Sequence, residues 1–191
     1  MTTLTEIPSP TEKVRFTAGL FLFSGLVAQI ILVQLFTVRT GFLSAVALTV
    51  LLLVALAGGF YGARWGVFRR KPAARRIFLG YLISAAGMLL LLLASQGLDN
   101  WVSLIPGIII SGTGQGMVFR VVTEKNGSAF LSRLSLFRAG LLLSGTILSA
   151  AICLVIPVDI AGKSAFTYAF ALLLDLSLLA ATYARITEQN S

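Results

Sequence analysis

Apolar residues run along this chain in six long blocks, at 16–37, 41–63, 76–97, 101–121, 130–157 and 165–184, separated by short polar or basic connections. Each block is about the length a helix needs to cross a hydrocarbon layer roughly 30 Å thick, which takes roughly 20 residues. A chain of 191 residues has no interior that can hide six such helices. The pattern therefore predicts an all-α polytopic membrane protein with six transmembrane helices in one domain spanning 15–186. Residues 1–14 and 187–191 read as disordered cytoplasmic tails.

Composition sharpens this picture. The chain is 57% hydrophobic and 12% charged, where soluble domains carry roughly 25% charged residues. Its first dozen residues, MTTLTEIPSPTE, lack the basic and apolar regions expected of a secretory signal.

Net charge is +8. The placement of that charge points to a membrane rather than to nucleic acid. Lys13 and Arg15 precede the first block. Arg64, Arg69, Arg70, Lys71, Arg75 and Arg76 fill the second connection. Arg120, Lys125, Arg133 and Arg138 surround the fourth, and Arg185 follows the last block. Only Arg39 and Lys163 fall in the alternate connections. Basic residues flanking membrane helices collect on the cytoplasmic side. Both termini are therefore expected in the cytoplasm, and the bacterial inner membrane is the expected location. The basic second connection is expected to hold anionic lipid, each Lys or Arg adding about 1 kcal/mol near such a surface.

Polar groups inside the apolar blocks are the candidate chemistry. Gln29 and Gln34 lie in the first block and Gln115 in the fourth. An amide within a membrane needs a partner, so each is either an interhelical hydrogen bond or a substrate contact. Arg138 lies in the fifth block, placed either to snorkel to the interface or to meet a carboxylate or an anionic ligand. Asp175 falls near the middle of the sixth and is the only acidic residue deep in any block. Burial would favour its protonated form, which makes it a proton-coupling or cation-site candidate. The alternative is a structural bond to Arg138, Gln29 or Gln115.

Glycines mark places where helices can approach closely. Gly58, Gly62 and Gly66 recur at every fourth position and predict a smooth helix-packing face. Gly112, Gly114 and Gly116 predict a thin helix that packs closely or bends, and Gly140 and Gly145 a further seam. Gly80, Ser84 and Gly87 share one face of the third block.

The chain contains no His and a single Cys153, so no metal site and no cofactor are expected. The acidic residues are scattered without paired spacing, and no nucleophile has a base beside it. An enzyme is not expected.

The segment GGFYGARWGVFRRK resembles the loop signature of the major facilitator superfamily of transporters. Gly59, Arg64, Gly66, Arg69, Arg70 and Lys71 stand close to the places of its glycines and basic residues, and Ala63 stands where that signature has an aspartate. WVSLIPGIIISGTGQGMVF resembles the fourth helix of the carboxy-terminal half of the drug–proton antiporters of this superfamily. GSAFLSRLSLFRAGLLLSGTILSA resembles the next helix of that half. The resemblance covers roughly 16–184 and implies one six-helix half of a two-half transporter, with a gating loop that lacks its usual carboxylate. It implies a half-size secondary transporter of a small amphipathic substrate, with proton coupling as one option, and completion by a second copy as a homodimer. The competing expectation is a non-transporting accessory or assembly subunit that binds other membrane subunits.

Overall fold

The computed structural model describes residues 10–38, 42–64, 68–97, 101–123 and 163–189. These form five α-helices with no strand among the described residues. They are α1 (Pro10–Val38), α2 (Phe42–Gly62), α3 (Ala73–Gly97), α4 (Ile105–Thr123) and α5 (Lys163–Gln189). A 3-10 turn, Trp101–Leu104, leads into α4.

Helix boundaries follow local chemistry. α1 starts at Pro10, where a fixed φ and a missing N–H cost nothing in a first turn. The helix thus begins inside the stretch read from sequence as a disordered tail, ahead of the expected start at residue 16. Pro72 stands immediately before α3, and its carbonyl accepts a 3.0 Å bond from Arg76 N–H. The fifth expected span, 130–157, lies outside the described residues.

Among the described residues, two helical stretches are long and apolar enough to cross a membrane, Ala73–Ala94 and Val102–Thr123, each of 22 residues. At 1.5 Å per residue each reaches about 33 Å. Thr17–Ile30 and Val46–Gly62 are shorter apolar helical stretches.

The helices meet in two apolar clusters, one towards each end of the bundle. The first joins Ala28, Leu48, Leu52, Met88, Leu91, Leu104, Ile108 and Phe170. The second joins Ala18, Leu22, Ile77, Tyr81, Val118, Val121, Ala180 and Ala184. Reading residue numbers from one cluster to the other gives each helix its direction. α1 and α3 run from the second cluster to the first. α4 and α5 both run from the first to the second.

α4 lies between α2 and α3, bare on two sides. Successive even-numbered positions differ by about 200° around a helix of 3.6 residues per turn. Gly112 and Gly116 therefore face one neighbour and Gly114 the other. A Cβ on Gly112 would stand 2.9 Å from Ala55 Cβ of α2, and one on Gly116 would overlap the Leu56 carbonyl. A Cβ on Gly114 would overlap Gly80 O and Ser84 N of α3. Gly80 and Gly87 return the contact from α3, against Val118 and Ser111.

On α2 the packing glycine is Gly59, which faces the Thr113 backbone. Gly58 and Gly62, expected to form the close face, instead lie on the exposed side with nothing within 4 Å of a Cβ. Leu48, Leu52, Ala55 and Gly59 carry the apolar contact on the opposite stripe, leaving Gly58 and Gly62 beside exposed Val54 and Tyr61. Gly66, Gly140 and Gly145 lie outside the described residues.

Candidate functional site: a buried amide relay and an outward carboxylate

Gln29 of α1 and Gln115 of α4 are both buried, at 0% and 3% exposure. They meet at the junction of the two apolar clusters. Gln115 Nε2 donates to Gln29 Oε1 at 2.9 Å. Gln29 Nε2 donates to Ser111 Oγ at 2.7 Å. Ser111 Oγ then donates to the Ile108 carbonyl at 3.3 Å. The order is fixed by valence. With its proton directed at Ile108, Ser111 accepts from Gln29. Gln29 must then turn its oxygen to Gln115, which must answer with its NH2 group. Gln115 Oε1 is left at the end of the chain, buried and without a hydrogen-bond partner.

Gln115 is one of the residues lining a small cavity, with Phe21, Gly25, Tyr81, Ser84 and Ser177 among the others. The cavity's space for the centre of a water molecule is about 10 Å³. Tyr81 Oη donates at 2.5 Å to the Ala18 carbonyl, tying α3 to α1. Ser177 Oγ donates at 2.9 Å to the Leu173 carbonyl in its own helix. Ser84 Oγ is buried and has no partner.

Asp175, beside the middle of the 27-residue α5, lies on the exposed face of that helix and not in the relay. Its helical neighbours at three and four positions are the exposed Leu172, Leu178 and Leu179. Ser177, two residues on and therefore turned away, is the α5 residue whose hydroxyl lines the cavity. Of the structural bonds that were the alternative for Asp175, those to Gln29 and Gln115 are not made, since these amides bond to each other and to Ser111. Gln34 falls on α1 in a stretch whose side chains lie outside the described set, and Arg138 lies outside it altogether.

Basic residues gather at the end of the bundle that holds the second cluster. Arg120 Cζ stands 5.0 Å from the centre of the Phe60 ring, and Phe60 in turn meets Phe119 at 5.7 Å. Arg185 Cζ stands 5.7 Å from the Phe78 ring centre. In the loop segment, Ala63 is 2% exposed and donates its N–H to the Gly59 carbonyl at 3.0 Å. Arg64, Arg69 and Arg70 are exposed, and Lys71 is half-buried.

Sequence reasoning singled out Gln29 and Gln115 but not their partners. Ser111 and Ser84 carried no signal beyond their small size, and Tyr81 none at all. Each serine stands four residues after a glycine in an apolar run, Gly80–Ser84 and Gly107–Ser111, and that spacing is the pattern that points to them.

Comparison with protein-family models, curated proteins and solved structures gives no match. Among the described residues, the fold and site define an all-helical arrangement, with two helices long and apolar enough to cross a membrane and a polar relay in its interior.

Proposed function

We propose that the chain is a six-span protein of the bacterial inner membrane with both termini in the cytoplasm. It works as one half of a secondary transporter of the major facilitator type, completed as a homodimer by a second copy. The direction of the helices supports six spans. α4 ends and α5 begins at opposite ends of the bundle, as a chain of six spans requires. The gathering of Arg120 and Arg185 at one end supports a single cytoplasmic face. Exposed Arg64, Arg69 and Arg70 there support contact with anionic lipid.

The observation that carries the reading is the outward carboxylate of Asp175. Hydrocarbon does not solvate a carboxylate, and acidic residues within membrane spans face protein or a water-filled space. In one copy, Asp175 faces outward among leucines. Among the described residues nothing covers that face, and a second copy related by a two-fold axis would supply both a surface for it and the second wall of a central cavity. Asp175 then takes the proton-coupling role. Gln34 and Arg138 remain substrate contacts in this reading, while Gln29 and Gln115 hold helices together.

The accessory-subunit reading has its own support. The amides Gln29 and Gln115 are bonded to each other, and the cavity beside them is about the size of a water. The loop also carries buried Ala63 in place of a carboxylate.

The test is reconstitution of the full chain in lipid nanodiscs and proteoliposomes. Native mass in nanodiscs and proton flux driven by an added lipophilic cation, ethidium, are the readouts. The transporter reading expects a dimer and a flux that Asp175→Asn abolishes. A monomer with no flux, folded only beside unrelated membrane chains, overturns it in favour of the accessory role.

A further inference from the structure

We propose that the cavity between α1, α3, α4 and α5 is a built hydration site that holds one internal water. This water bridges Ser84 of α3 to Gln115 of α4. The proposal rests on the donors and acceptors that face the cavity, and it is independent of whether the chain transports anything.

Four polar side chains line the space: Tyr81, Ser84, Gln115 and Ser177. Two have already committed their only proton. Tyr81 Oη donates to Ala18 O, and Ser177 Oγ donates to Leu173 O. Each keeps a free lone pair. Gln115 has directed its NH2 group to Gln29, which leaves Oε1 in need of a donor. Ser84 Oγ has an uncommitted proton and is 1% exposed. The cavity thus presents one strong acceptor, one available donor and two weak acceptors.

A water molecule matches that set. It accepts the Ser84 proton, donates one hydrogen to Gln115 Oε1, and donates the other to the lone pair of Tyr81 or Ser177. Three bonds is the usual number for a buried water, and a volume of roughly 10–15 Å³ is what one requires. The space of about 10 Å³ sits at the lower edge of that range. A cation is disfavoured because no carboxylate lines the cavity among the described residues, and a buried charge needs a compensating one.

The water completes a hydrogen-bond chain of one direction. It runs from Ser84 through the water to Gln115, then Gln29, Ser111 and the Ile108 carbonyl. Bonds aligned head to tail polarise one another. The site therefore links α3 to α1 through α4 without a direct side-chain bond between Ser84 and either glutamine.

The experiment is a crystal structure of the full chain grown from a lipid mesophase, at a resolution that shows ordered waters. The expected result is one density peak within hydrogen-bond distance of both Gln115 Oε1 and Ser84 Oγ, lost in Gln115→Met. An empty cavity in the wild-type chain overturns the proposal, and so does a peak unchanged in Gln115→Met. A wild-type peak that disappears when sodium is replaced by choline marks a cation and overturns it as well. The wild-type measurement stands alone if Gln115→Met does not fold.

Discussion

Gln115 and Gln29, 86 residues apart in sequence, share a buried 2.9 Å hydrogen bond that joins α4 to α1. The bond is one link of a chain, because Gln29 also donates to Ser111. Removing Gln29 therefore orphans groups on both sides. Gln29→Leu is expected to destabilise the bundle by about 1–3 kcal/mol, the cost of buried polar groups left unpaired. Combining it with Gln115→Leu should cost less than the sum of the two single changes. A double-mutant cycle by unfolding in detergent micelles should give a coupling of about 0.5–2 kcal/mol. Strict additivity would show that the two amides act independently.

The glycines of α4 and α2 separate into two classes with opposite expected responses. Gly116→Ala drives a methyl into the Leu56 carbonyl of α2. Overpacking of this kind costs about 1–3 kcal/mol, or more where backbone must move. Gly58→Ala meets open space and gains helix propensity, worth about 0.5–1 kcal/mol in stability. Thermal unfolding of the two variants side by side checks the sign. Equal effects would mean that α4 does not pack against α2 at Gly116.

Asp175→Leu separates folding from association. The side chain lies on the exposed face of α5, and changes at exposed positions usually stay within about 0.5 kcal/mol. Unfolding of the single copy should hardly move, whereas the dimer proposed above should weaken. Fluorescence energy transfer between labelled copies in nanodiscs reads the association. Loss of folded protein without loss of transfer would place Asp175 inside the fold instead.

Arg120 and Phe60 form a cation–π contact between α4 and α2, with 5.0 Å from Cζ to the ring centre. Such contacts contribute about 0.5–1 kcal/mol when exposed and about 2 when desolvated. Arg120→Met keeps the apolar stem and removes the charge, so it is expected to lose about that amount. Arg120→Lys should retain part of it. If Arg120→Met has no further effect on unfolding once Phe60→Leu is in place, the contact is the cause. An undiminished effect assigns the role of Arg120 to another partner.

The helical class of the described segments was legible in the sequence because it depends on local composition. Long apolar runs demand helix and Pro72 punctuates it, but the start of α1 at Pro10 was not legible, since the residues around it are polar. Gln29 and Gln115 were legible as residues needing partners, because a buried amide is costly wherever it lies. Their pairing with each other was not. It depends on which faces of α1 and α4 meet, and leucine-rich helices carry too little asymmetry to reveal a face. Gly58 and Gly62 show the same limit: spacing identified a smooth stripe, but not whether a neighbour covers it. Asp175 and Ser177 stand two residues apart on one helix, and a turn of about 200° sends one outward and the other to the cavity. Sequence by itself determined the helices and the list of groups that need satisfaction. The tertiary structure decided which face each helix turns inward, since that follows from the shape fit of glycine against backbone across helices distant in sequence.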